Sequence, residues 1–191
     1  MLLLIAGLVL FLGTHSTRLF ASDWRASFIQ NKGENAWKGL YTVVSLAGLV
    51  LIVFGYGASR ADPVFLWDPP VWTRHAAALL VLFAFILLAA PNIPRNHLKA
   101  RLGHPMYAGV KLWALAHLMT NGRLGDGLLF GGFLVWAIVG FSISSKRDRL
   151  PGVSYGEGSA KGTAITVGAG LVGYGVFAMF LHRLLIGVSP F

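Results

Sequence analysis

The sequence predicts an all-α, polytopic membrane bundle of about six transmembrane helices joined by short loops. Three observations carry this reading. Of the 191 residues, 55% are apolar and only 12% are charged, where a soluble domain carries about 25% charged residues; mean hydropathy is +0.67. Several uncharged runs reach the roughly 17–25 residues that a helix needs to cross a bilayer core. The runs are continuously apolar rather than alternating, which points to helices that satisfy their own backbone and not to a β-barrel.

Taken in order, residues 1–17 carry no charge. The run lacks the positive n-region of a signal peptide, and no small-x-small cleavage site follows, so it reads as a retained first helix. Ser22, ahead of Asp23, Trp24 and Arg25, suits the N-cap of a short interfacial helix ending near Gly33. Residues 40–57 form the second span. Pro69 and Pro70 stop any helix ahead of the third, 71–90, which is apolar except for Arg74 and His75. Residues 105–119 make a weaker span containing Lys111 and His117, short enough to be broken or tilted. Residues 127–145 and 162–181 are uncharged and complete the set. There is no internal repeat and no low-complexity linker, so residues 1–191 read as a single domain.

The net charge of +9 does not indicate nucleic acid, because the basic residues are dispersed through the loops. Excess Lys and Arg in a membrane protein marks cytoplasmic loops. Eleven loop cations follow the odd-numbered spans: Arg18, Arg25, Lys32 and Lys38; Arg95, Lys99 and Arg101; Lys146, Arg147, Arg149 and Lys161. Only Arg60 and Arg123 follow the even ones. This split places the odd loops inside and both termini outside, with Trp67 and Trp72 in the outer aromatic belt. The partner is the lipid bilayer.

Cysteine is absent, so thiolate metal sites and Cys nucleophiles are excluded. Ligand chemistry falls to six histidines, four methionines, the tyrosines and a few carboxylates. With this topology His75, His117 and His182, together with Arg74 and Arg183, lie in the outer third of the bilayer, where ionisable groups are costly and mark functional sites by default. The plain alternative for Arg74 and Arg183 is snorkelling to the headgroups. His117 sits in a run of Leu, Ala and Trp and favours function. Neutral imidazole suits zinc, copper or haem iron. No carboxylate lies inside the spans as delimited here, which leaves a three-histidine zinc site open. Haem fits better: one or two axial histidines suffice, and arginines can pair with its propionates. His15, at the inner end of the first span, reads on its own as an interfacial histidine. His97 reads as solvent-exposed in a basic loop, and His104 precedes Pro105 where the chain re-enters the membrane. Gly168, Gly170 and Gly173 match dinucleotide-binding spacing, but they lie inside an uncharged helix, where close helix packing is the better reading. Gly127 and Gly131 receive the same explanation.

A set of motifs along nearly the whole chain resembles the NnrU family, named for bacterial genes linked to nitric oxide metabolism and denitrification. They are Gly13-Thr14-His15-Ser16, Gly33 through Tyr41, Ser45 through Leu49, His104-Pro105, Leu112 through Leu118, Asn121-Gly122, Leu129 through Phe133 and Lys146 through Arg149. The same pattern is similar to the plant 15-cis-zeta-carotene isomerase type, which holds haem b. The resemblance implies His15 and His117 as axial ligands of haem b, a role in nitrogen-oxide metabolism or redox isomerase-like chemistry, a hydrophobic small-molecule substrate, and a bacterial inner membrane location with periplasmic termini. That isomerase type has a cysteine, an alternative ligand, where this chain has Ala114. Helix rise places His15 about 20 Å and His117 about 6 Å below the outer surface, so His75, His182 and His104 stand as alternates for the second ligand. A second resemblance competes. His104-Pro105-Met106-Tyr107-Ala108-Gly109 is similar to an S-adenosylmethionine-binding element of isoprenylcysteine carboxyl methyltransferases, although Gly103 replaces the usual arginine and the downstream glutamate region is missing.

Overall fold

The computed structural model describes residues 1–190. Its regular structure is helical, the one bridge being an isolated antiparallel pair between Phe65 and Arg123. Five helical segments are long and apolar enough to cross a membrane: Leu2–Phe20, Glu34–Ala61, Trp72–Asn92, Leu124–Arg149 and Ala160–Ile186. The expected sixth is Pro105–Thr120. Its 16 residues rise about 24 Å at 1.5 Å each, short of a core of about 30 Å. The chain is an integral membrane protein of helical type.

The chain divides into two compact units. The first comprises Met1–Trp67 and Arg123–Gly132. It contains α1 (Leu2–Phe20), α2 (Ser22–Lys32) and α3 (Glu34–Ala61). The second comprises Asp68–Gly122 and the chain from Phe133 onward. It contains α4 (Trp72–Ala89), α5 (His97–Leu102), α6 (Pro105–Thr120), α8 (Ala160–Val176) and α9 (His182–Ile186). α7 (Leu124–Arg149) supplies its first turns to the first unit and the rest to the second.

In the first unit, glycines let two spanning helices meet backbone to backbone. A Cβ on Gly7 of α1 would lie 2.6 Å from the Ile52 nitrogen, and one on Gly48 of α3 would lie 2.7 Å from the Phe11 nitrogen. A Cβ on Gly55 would collide with the Leu4 backbone. Such contacts gain dispersion where lipid offers no hydrophobic drive between helices. The predicted interfacial helix forms as α2, and Gly33 ends it at φ +88. Ser22 is not its cap, however: the N-cap is Ala21, and the Ser22 hydroxyl donates to Asp23 instead.

In the second unit, Gly170 of α8 lies against α4, where a Cβ would stand 2.5 Å from Ile86 Cα, and Gly173 lies against Phe85. Gly170 and Gly173 serve helix packing, whereas a Cβ on Gly168 would meet nothing within 4 Å. Gly131 is different: a Cβ there would meet nothing within 4 Å, and at Gly127 only a Leu66 methyl at 3.7 Å. That pair does not mark a close crossing, because small residues permit approach without enforcing it.

Caps fix the turns. The Pro70 carbonyl accepts from the Thr73 nitrogen and hydroxyl at 3.0 and 2.7 Å, closing the first turn of α4. Buried Asn96 caps α5: its Oδ1 accepts from the Lys99 nitrogen at 2.8 Å, and its amide donates to the carbonyls of Ala90 and Ile93. Pro105 occupies the first position of α6. The last span is not one regular helix, since a π turn at Phe177–Leu181 separates α8 from α9. Removing the Asn96 cap by Asn96→Ala would orphan buried backbone groups. It should cost about 1–2 kcal/mol, seen as a lower midpoint of thermal unfolding in detergent; an unchanged midpoint would contradict the capping role.

Candidate functional site

His117 is half-buried near the end of α6, and its Nδ1 lies 2.9 Å from the carbonyl of Trp113, one turn back. A carbonyl can only accept, so Nδ1 carries the proton and donates. The neutral ring then holds its lone pair on Nε2. The Trp113 indole lies 5.2 Å from the imidazole, centroid to centroid, and Phe133 meets that indole edge-on at 5.4 Å. In the first unit His15 repeats the device. Its Nδ1 donates to the Phe11 carbonyl at 2.7 Å, its ring stacks on Phe11 at 4.2 Å, and Tyr41 of α3 stands 5.2 Å away. A ring N–H tied to a backbone carbonyl, fixing the tautomer, is how metal-ligating histidines are usually held.

Of the other candidates His182 also ties Nδ1 to a backbone carbonyl, and the rest are placed differently. Arg74 and His75 are exposed on the first turn of α4, and Arg183 is exposed on α9. His182 follows the π turn, donates from Nδ1 to the Val188 carbonyl at 2.7 Å and faces Phe177 edge-on. His104 is engaged: its Nε2 lies 3.0 Å from the Tyr155 hydroxyl and 3.1 Å from Asp148 Oδ2. His97 is not solvated as expected. It opens α5 half-buried, with its backbone nitrogen and Nδ1 on the Thr163 hydroxyl at 3.0 and 2.7 Å.

One carboxylate escaped the sequence reading. Asp126 is 2% exposed in the first turn of α7, which begins three residues before the uncharged run that marks it. Its Oδ1 accepts from the Tyr56 hydroxyl at 2.6 Å and its Oδ2 from the Arg123 nitrogen at 3.0 Å. An acid in a helix's first turn complements the macrodipole, so a charge that breaks a hydropathy run is the expected start of such a helix.

Among the described residues, no group of three or more His, Asp or Glu side chains is placed to hold a metal ion. A three-histidine zinc site lacks its ligand set, whereas a haem asks for one or two axial imidazoles. His15 in the first unit and His117 in the second each offer one such donor. Two residues of the His104–Gly109 segment pack against neighbouring helices. A Cβ on Gly109 would press on Ala84 O of α4 at 3.0 Å, and Tyr107 fills the space beside Gly140 and lies 5.0 Å from Trp136.

A family model described as NnrU protein matches residues 3–190 of the chain. No curated protein and no solved structure matches it.

Proposed function

The chain belongs to the NnrU family, and we propose that it is a haem b-binding protein of the bacterial inner membrane, acting in nitrogen-oxide metabolism or in related redox chemistry on a small hydrophobic substrate. The observation that carries this is the matched pair of imidazoles: His117 and His15 each give the Nδ1 proton to the carbonyl one turn back, keeping the Nε2 lone pair for iron. Aromatic neighbours at both histidines suit the faces of a macrocycle. Bound haem would supply one-electron chemistry and a seat for small ligands such as nitric oxide. The family resemblance, rather than any contact between the two units, pairs His117 as the first ligand with His15 as the second, and Arg74 and Arg183 are the partners for the propionates.

Protein purified after expression with ample haem supply should show a Soret band, with the sharp visible bands of a six-coordinate, low-spin centre on reduction. Apoprotein that takes up no haem would refute the proposal.

With Pro105–Thr120 counted as a sixth crossing, the excess of cations after the odd spans supports periplasmic termini. The chain has no native cysteine, so single cysteines at exposed Asn35, Asp68 and Ser154 report cleanly. Ser59 would not serve, because it is 6% exposed on α3. A membrane-impermeant thiol reagent should label Asp68→Cys from outside and leave the other two unlabelled. The reverse pattern would invert the topology.

A further inference from the structure

A cavity of about 460 Å³ lies in the second unit, lined by Arg101, Phe141, Asp148, Arg149 and Tyr155 among others. It falls within the roughly 300–1,000 Å³ that small-molecule sites occupy. Neither His15 nor His117 lines it.

The cavity is braced by contacts between segments far apart in sequence. Tyr155, in the loop between α7 and α8, donates its hydroxyl to Asp148 Oδ2 at 2.6 Å, while His104 Nε2 sits 3.0 Å from that hydroxyl. The Arg147 guanidinium meets Asp148 Oδ1 at 3.0 Å. Burial and the bond to Asp148 push the Tyr155 phenol up to about 12, so it stays protonated and keeps donating at neutral pH. Gly103 makes room for this tyrosine: its φ is +68, and a Cβ there would run into the Tyr155 ring.

The electrostatics follow. Asp148 Oδ1 is matched by Arg147 and its Oδ2 by Tyr155 and His104, so its charge is already answered inside the protein. Arg101 and Arg149, both exposed, remain as the cations of the lining. Leu102, Phe141 and Val153 give the same cavity apolar wall, and it opens where the spanning helix α7 ends. Guanidinium groups recognise phosphate by paired hydrogen bonds, and basic pockets at the ends of spanning helices seat anionic headgroups.

We propose that this cavity binds a phosphate-bearing anion between Arg101 and Arg149, with apolar walls suited to the headgroup region of an anionic phospholipid. The brace of Asp148, Tyr155 and His104 holds the loop that forms one side of the cavity.

Purified full-length protein in neutral detergent would be titrated with short-chain phosphatidylglycerol, short-chain phosphatidylcholine, glycerol phosphate and inorganic phosphate, with thermal stabilisation as the readout. Phosphatidylglycerol should stabilise the wild type and phosphatidylcholine should not. The double variant Arg101→Gln/Arg149→Gln should bind about tenfold or more weakly, Arg101→Lys/Arg149→Lys should recover part of the loss, and Arg18→Gln, in the first unit, should match wild type. Equal, arginine-dependent binding of glycerol phosphate would keep the site and assign it to soluble phosphate esters. Phosphatidylglycerol binding that survives in the glutamine double variant, or no response to any phosphate, would overturn the proposal. Both arginines are exposed, so the variants should fold; an unchanged midpoint without ligand checks this.

Discussion

His117→Ala is expected to abolish haem retention or reduce it severely, while His97→Ala leaves the Soret band in place. Losing a second-shell partner of a metal ligand typically costs 10–100-fold in affinity; losing the ligand itself should cost more. The imidazole of His117 is held by Trp113 from one turn back and flanked by that residue's indole, whose nitrogen only donates and cannot replace it as a ligand. Ala114, one turn away on the same helix, offers no thiolate. His97 is tied to Thr163 of α8, and its loss should loosen that joint without touching iron. His15→Ala should convert the centre to high spin and open iron to nitric oxide, visible as a shifted Soret band and new ligand binding. A Soret band unchanged in His117→Ala would sink the assignment. If only His15→Ala is silent, His75 and His182 become the next candidates for the second ligand.

How much of this was legible in the sequence depended on whether the cause was local. The spans were, since an uncharged run of spanning length has few other solutions. Their ends were not: α3 runs from Glu34 to Ala61, where the apolar window covers only residues 40–57, because polar turns stay helical once they leave the lipid. α7 starts at Leu124 and carries Asp126 in its first turn, which hydropathy counts as an interruption. Tertiary partners were invisible. His97 read as solvated because Thr163 lies 66 residues away in the chain, and nothing near His104 announces Asp148 or Tyr155. Motif reading did reach both ends of that contact, since His104-Pro105 and Lys146 through Arg149 are among the segments carrying the family resemblance. Glycines were legible only in part. Gly170 marks a real crossing while Gly131 does not, and spacing alone cannot tell a glycine pressed against a neighbouring backbone from one with nothing beside it.

Gly48→Leu is expected to destabilise the first unit strongly. A Cβ at this position would stand 2.7 Å from the Phe11 nitrogen, 3.0 Å from its Cα and 3.1 Å from its Cβ. Backbone cannot swing aside as a side chain does, so α1 must move away from α3 and give up the contact that Gly7 and Gly55 also depend on. Overpacking a core costs typically 1–3 kcal/mol; against backbone the upper end applies, about 3 kcal/mol or more, and the midpoint of thermal unfolding should fall by roughly 10 °C. The damage should reach the candidate ligand as well. Phe11 provides both the carbonyl that fixes the His15 tautomer and the ring on which His15 stacks, so haem-loaded Gly48→Leu should carry the spectrum of His15→Ala. Gly57→Leu is the control on the same helix, since a Cβ there meets nothing within 4 Å, and its midpoint should stay within about 2 °C of wild type. Equal midpoints for the two variants would mean that the α1–α3 crossing does not carry the stability of this unit. A destabilised Gly48→Leu that retains the wild-type spectrum would separate the packing of α1 from the coordination of iron.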